Sequence, residues 1–249
     1  MKNKYFGDIN DYRKYGLIRV ILCSYKFRLL VAWMLTPDDP KNDGKFTDYL
    51  SQSDDWRQYD EELYDGLKHL MNTPGIRNVG RIEKTNLLPG AKYFSREVPD
   101  SSDDRRDWFQ DLLSNTKDSD LVFLDPDNGI EVNSKPYGRK DSSKYLYWHE
   151  ISGLWGQGKS LLIYQHFCRE KRQSFIQRLK EELKNKTKGS LIEAFPTSRV
   201  VFFLVLQPEH QKYYDSIMAN VEKYWVRHKD KQQAGYGFGR ILQEGEGDL

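Results

Sequence analysis

The sequence has almost no cysteine: Cys23 and Cys168 are the only two in 249 residues. They stand far apart, so neither a disulfide framework nor a cysteine zinc site is available. Their apolar neighbours (VILC and LLIYQHFC) predict buried, reduced thiols. Also missing is any apolar run approaching the roughly 18 residues that cross a bilayer, and the opening MKNKYFGDIN has no apolar stretch behind its charges. A cytoplasmic protein without a membrane partner is the expectation. Net charge is nearly absent as well: 39 Lys and Arg against 37 Asp and Glu give +2, which excludes a polycation that holds nucleic acid by bulk charge alone.

What is present is aromatic. Phe, Trp and Tyr make up 14% of the chain and six residues are Trp, too many for a disordered segment. With 31% charged residues, this composition predicts one domain over residues 1–249, with a charged surface, an N-terminal helix at about 8–24 packed on it and a loosely held tail from about 233 to 249. The charge is unevenly spread. Residues 37–65 hold ten acidic side chains against three basic, and residues 159–188 nine basic against three acidic. Such an asymmetry either orients an anionic substrate or marks solvated helices.

Apolar strand-like runs alternate with amphipathic stretches. Leu29 to Leu35, Asp120 to Leu124, Leu161 to Phe167 and Val200 to Leu206 read as strands; Asp11 to Leu22, Glu61 to Met71, Glu170 to Lys184 and His210 to Trp225 read as helices. The alternation predicts an α/β fold, a Rossmann-like, doubly wound, mostly parallel sheet with helices on both faces, its first three strand runs being parallel neighbours. Arg77 to Pro99 shows no clear period.

Residues 153–160, GLWGQGKS, match the phosphate-binding pattern G-x-x-x-x-G-K-[ST]. That pattern needs a strand before it and a helix after it. Here KYLYWHEI before it reads as a helix and SLLIYQHF after it as a strand, so a helix-to-strand turn capped by Gly156 or Gly158 is predicted instead.

The richest segment is LVFLDPDNGIE at 121–131. Ligands collect at the carboxyl ends of strands in a doubly wound sheet, which is where this run puts Asp125, Asp127, Asn128 and Glu131. These groups suit a base amine, a proton transfer, or magnesium or manganese held by Asp125, Asp127 and Glu131; a turn that merely stops the strand has the same look. The next strand ends at His166, a general base, a metal ligand or a satisfied core histidine. Arg139, Lys144 and Arg169 nearby suit phosphates. Thr36, Asp38 and Asp39 end the first strand. Gly7, Asp8, Asp11 and Lys14 crowd the start of the first helix, with Asp8 or Asp11 placed to cap it.

The order YFGDINDYRKYGLIR, first strand, LDPDNG and LLIYQH resembles Rossmann-like S-adenosylmethionine methyltransferases, especially those that modify amines of nucleic acid. Asp125 and Pro126 match the start of their Asp-Pro-Pro-aromatic motif, while Asp127 and Asn128 stand where the second proline and the base-stacking aromatic would be. The first strand, LLVAWMLTPDDP, lacks their Gly-x-Gly turn. The resemblance implies an enzyme acting on DNA or RNA, S-adenosylmethionine beside Thr36, Asp38 and Asp39, catalysis by Asp125, Asp127, Asn128 and His166, and substrate held by Lys14, Arg139, Lys144 and Arg169. Two other readings stay open: a divalent-metal nuclease or phosphoesterase, and a nucleic-acid-binding module without catalysis. The YFGD and DPDNGIE motifs also look like those of bacterial proteins with no assigned activity.

Overall fold

The computed structural model describes residues 1–40, 44 and 46–226. Elements run α1 (Ile9–Ser24), β1 (Leu29–Ala32), α2 (Ser53–Trp56), α3 (Glu61–Asn72), α4 (Gly80–Glu83), β2 (Lys92–Phe94), α5 (Ser102–Asn115), β3 (Leu121–Leu124), β4 (Gly129–Ile130), β5 (Tyr145–Leu146), α6 (Trp148–Gly156), β6 (Ser160–His166), α7 (Arg172–Lys186), β7 (Leu191–Pro196), β8 (Val200–Leu206) and α8 (Tyr214–Val221). Among the described residues six strands form one sheet in the order β2-β1-β3-β6-β8-β7. The first four are parallel, and β8 alone runs against both its neighbours. This is a Rossmann-like α/β fold. β4 and β5 make a separate two-stranded ladder beside it.

The central strands are apolar throughout because both faces are covered. Leu29, Val31, Leu121, Phe123, Leu162, Phe202 and Leu204 point to one core, shared with α1, α3 and α8. Their neighbours Leu30, Ala32, Val122, Leu124, Leu161, Ile163 and Phe203 point to the other, shared with α5, α6 and α7. A side chain fully buried this way contributes about 1.5–3 kcal/mol. On the first face Trp225 stacks on Tyr59 and lies so close over Gly16 that a β-carbon there would come within 1.9 Å of the indole.

The chain leaves β1 for β2 on one side and returns to β3 on the other, so the order reverses between β1 and β3, where sheets of this kind bind ligands. The predicted parallel trio is present as β1, β3 and β6. β1 stops at Ala32, short of the predicted Leu35, although Trp33 and Met34 stay fully buried and Met34 has a left-handed φ of 46°. The segment GLWGQGKS is the predicted turn: α6 ends at Gly156, Gly158 takes φ +73°, and Lys159 donates to the carbonyls of Lys117 and Ser119. Both cysteines, expected to be buried, are exposed. Cys23 lies on the outer side of the last turn of α1, and Cys168 follows β6 in a loop, so an apolar neighbour in sequence did not mean an apolar neighbour in space. Among the described residues no helix is long and apolar enough to cross a membrane. The predicted tail from about 233 lies outside the described residues.

Candidate functional site

The turn after β3 is built on a close approach. Gly129 takes φ +119°, and a β-carbon on it would fall 2.4 Å from the amide group of Gln165 on β6. That amide accepts a hydrogen bond from Ile130 N at 2.7 Å. Asn128 N donates to the Lys144 carbonyl and His166 N to the Asn128 carbonyl, tying the turn to the loop before β5 and to the end of β6. Asp100 holds that loop by accepting from Asp141 N and Ser143 N, at 2.9 and 2.7 Å, which brings Lys144 to the site. The sheet thus fixes Asp125, whose own N–H extends the ladder to Ala32.

Facing Asp125 is the first turn of α1. Asp8 caps the helix, accepting from Asn10 N at 2.9 Å, and Gly7 N donates to Asp11 Oδ2 at 2.9 Å. Lys14, one turn on from Asp11, lies 2.9 Å from its carboxylate and 2.6 Å from Asp125 Oδ2, and all three are about 98% buried. One ammonium therefore answers two carboxylates out of water. Burial pushes both Asp11 and Asp125 above the ordinary carboxylate value, and Lys14 only partly offsets it. Burial also opposes the charge on Lys14, but Asp11 and Asp125 outweigh it and hold the ammonium above its ordinary value.

A cavity of about 470 Å3 opens over this triad at the β1/β3 edge. Its lining includes Asp11, Lys14, Asp125, Asp127, Asn128, Tyr164 and His166 from the sheet and α1, and Phe46, Lys144 and Arg199 from surrounding loops. His166 Nε2 is 3.1 Å from the Tyr164 hydroxyl, and burial, opposed by Asp127 and Asp125, lowers the imidazole so that the neutral ring is favoured. The far wall is the N-terminal segment. Thr36 N donates to the Met1 carbonyl, the Met1 amino group donates to the carbonyls of Met34 and Asp125, and Asp39 pairs with Lys2 at 2.9 Å and Lys4 at 2.5 Å. Those two amines hold Asp39 far below the ordinary carboxylate range.

Of the predicted site residues, Lys14, Asp39, Asp125, Asp127, Asn128, Lys144 and His166 meet at this one cavity. Lys14 is committed to buried carboxylates. Thr36 is buried beneath Met1, and Asp38 accepts from Lys4 N, so neither lines the cavity. Arg139 and Arg169 are exposed and do not line it. Glu131 turns away to cap α6, accepting from Trp148 N at 2.9 Å. Among the described residues, no group of three or more His, Cys, Asp or Glu side chains is arranged to hold a metal. Lys2, Tyr5, Asn10, Phe46 and Arg199 join the site without having been singled out for it. Lys2, Tyr5 and Asn10 carried a signal, as neighbours of the Gly7–Asp8 turn and of Asp11. The chain matches no family model, no curated protein and no solved structure.

Proposed function

We propose that the chain acts on nucleic acid, DNA or RNA, by taking a single unpaired base into the cavity at the β1/β3 edge, in the manner of the base-modifying enzymes its sequence resembles. One observation carries this reading: a cavity of about 470 Å3, the size of ordinary ligand sites, at the point where strand order reverses, with Asp125 in its wall. The Asp125 carboxylate accepts the hydrogen bond of an exocyclic amine, as an acidic side chain does with cytosine. Lys14 keeps that carboxylate tolerable out of water. Lys144 and Arg199, both lining the cavity, answer the phosphates.

S-adenosylmethionine, the cofactor the resemblance implies, does not fit the chain as folded. The end of β1 has buried Trp33, Met34 and Leu35 where a glycine turn would pack on it, and the Met1–Lys4 segment is seated on Thr36, Asp38 and Asp39. Asp125 and Asp127 face amines instead: Lys14 for the first, Lys2 at 3.4 Å for the second.

The test is fluorescence anisotropy with labelled single-stranded DNA and RNA 12-mers over a salt series, beside calorimetric titrations with S-adenosylmethionine and with manganese. Saturable binding with a negative salt slope is expected, together with an affinity for amine-bearing bases that Asp125→Asn reduces. Wild-type protein that binds neither oligonucleotide at low salt would overturn the reading.

A further inference from the structure

The turn after β3 has Asp127 and Asn128 where the resembled enzymes carry an aromatic for the base, so stacking must come from elsewhere if the cavity takes one. Four large apolar side chains are well exposed among the described residues: Phe46, Ile76, Val132 and Tyr224. Phe46 alone lines the cavity, and 47% of it is open to solvent. Its position is fixed by the helix beneath it. Phe46 N donates to the Asp8 carboxylate at 3.2 Å, and Ile9 N donates to the Phe46 carbonyl at 2.9 Å, so the ring is carried on the first turn of α1, the same turn that holds Asp11 and leads to Lys14.

The guanidinium of Arg199 lies 3.8 Å from the centre of the Phe46 ring. Arg199 comes from the turn between β7 and β8, where its N–H donates to Thr197 Oγ1 and its carbonyl accepts from Phe167 N. Two flat groups far apart in sequence therefore meet in the lining of the cavity. An exposed cation–π contact is a weak restraint and does not account for leaving an aromatic half uncovered there. A third feature lies further in: Asn10 also lines the cavity, and its Oδ1 is shielded from solvent with no hydrogen-bond partner among the described residues. An occupant that is flat and apolar on its faces and bears N–H donors on its edge would cover the first two and satisfy the third.

We propose that Phe46 and Arg199 form the stacking platform for a nucleobase, with Asn10 Oδ1 accepting from the base edge. This rests on the reading that the cavity receives a base, and it adds where the base is gripped. Arginine suits the rim because its plane stacks while its charge faces the phosphate, which lysine cannot do.

The test uses a single-stranded 12-mer with one 2-aminopurine, whose fluorescence falls on stacking. Wild type should bind it and change the emission. Phe46→Leu, at a half-exposed position and checked for a wild-type melting curve, should bind about tenfold more weakly and lose the emission change. Phe46→Trp should keep both, and Arg199→Lys should keep the salt slope but lose affinity. Binding and emission unchanged in Phe46→Leu and Arg199→Lys would overturn the platform while leaving the cavity reading intact. A wild-type protein that does not bind the 12-mer would remove the cavity reading itself, and the platform with it.

Discussion

Lys14 Nζ lies 2.6 Å from the Asp125 carboxylate across 111 residues of chain, and the same ammonium serves Asp11. The three side chains set two carboxylates against one ammonium, which makes them unequal under substitution.

Replacing Lys14 by Met leaves two buried carboxylates with no ammonium between them, and the fold should lose about 3–5 kcal/mol. Asp125→Asn leaves a balanced Lys14–Asp11 pair and should change stability far less. Urea denaturation of the two variants checks this, and equal losses would contradict the unequal roles.

The pH dependence follows from the raised carboxylates. Folded Asp125 and Asp11 hold their protons to higher pH than the unfolded chain does, because burial disfavours their charge. Raising the pH from the ordinary value of 3.8 through the elevated one therefore withdraws stability. The charged groups that act most on Asp125 are Lys14, the Met1 amine and Asp11, of which only Asp11 shares its sign, and Tyr15, Tyr164 and His166 also face it. Asp125→Asn should flatten that decline in a series of thermal melts, and an unchanged slope would assign it elsewhere.

Gly129→Ala should be costly for two separate reasons, the φ of +119° and the clash with the Gln165 amide. Gln165→Ala in the same chain relieves the second and leaves the first. The double variant should thus be more stable than the sum of the two single losses implies, measured as a double-mutant cycle.

Lys159→Ala should leave ATP and GTP binding as it is in the wild type. It should cost about 1 kcal/mol, since among the described residues the amine donates to the carbonyls of Lys117 and Ser119. A selective loss of nucleotide affinity in a calorimetric titration would reverse that assignment.

The central strands were legible because burial on both faces leaves an unbroken apolar run, as in LVFL and VVFFLVL. Edge strands leave no such trace. β2 is three residues long with only Phe94 buried, and β7 is mostly half exposed, so neither stood out. α5 was passed over because its surface is charged; Arg105, which reads as solvated, is buried against Glu150 at 2.7 Å. In the site, Asp125, Asp127 and His166 were readable from their place at strand ends. Phe46 and Arg199 were not, because nothing local links a loop before α2 to the turn after β7.

The reversal of β8 has a consequence for the order in which the chain folds. β7 and β8 are joined by a turn at 197–199 that Thr197 closes on itself through Val200 N, so their pairing needs almost no loop closure. The β1–β3 pairing, by contrast, must bring Arg28 and Asp120 together across 92 residues. Amide protection in pulse-labelled refolding should therefore arise first in β6, β7 and β8 and last along β1, so that the edge carrying the candidate site is the final part of the sheet to close.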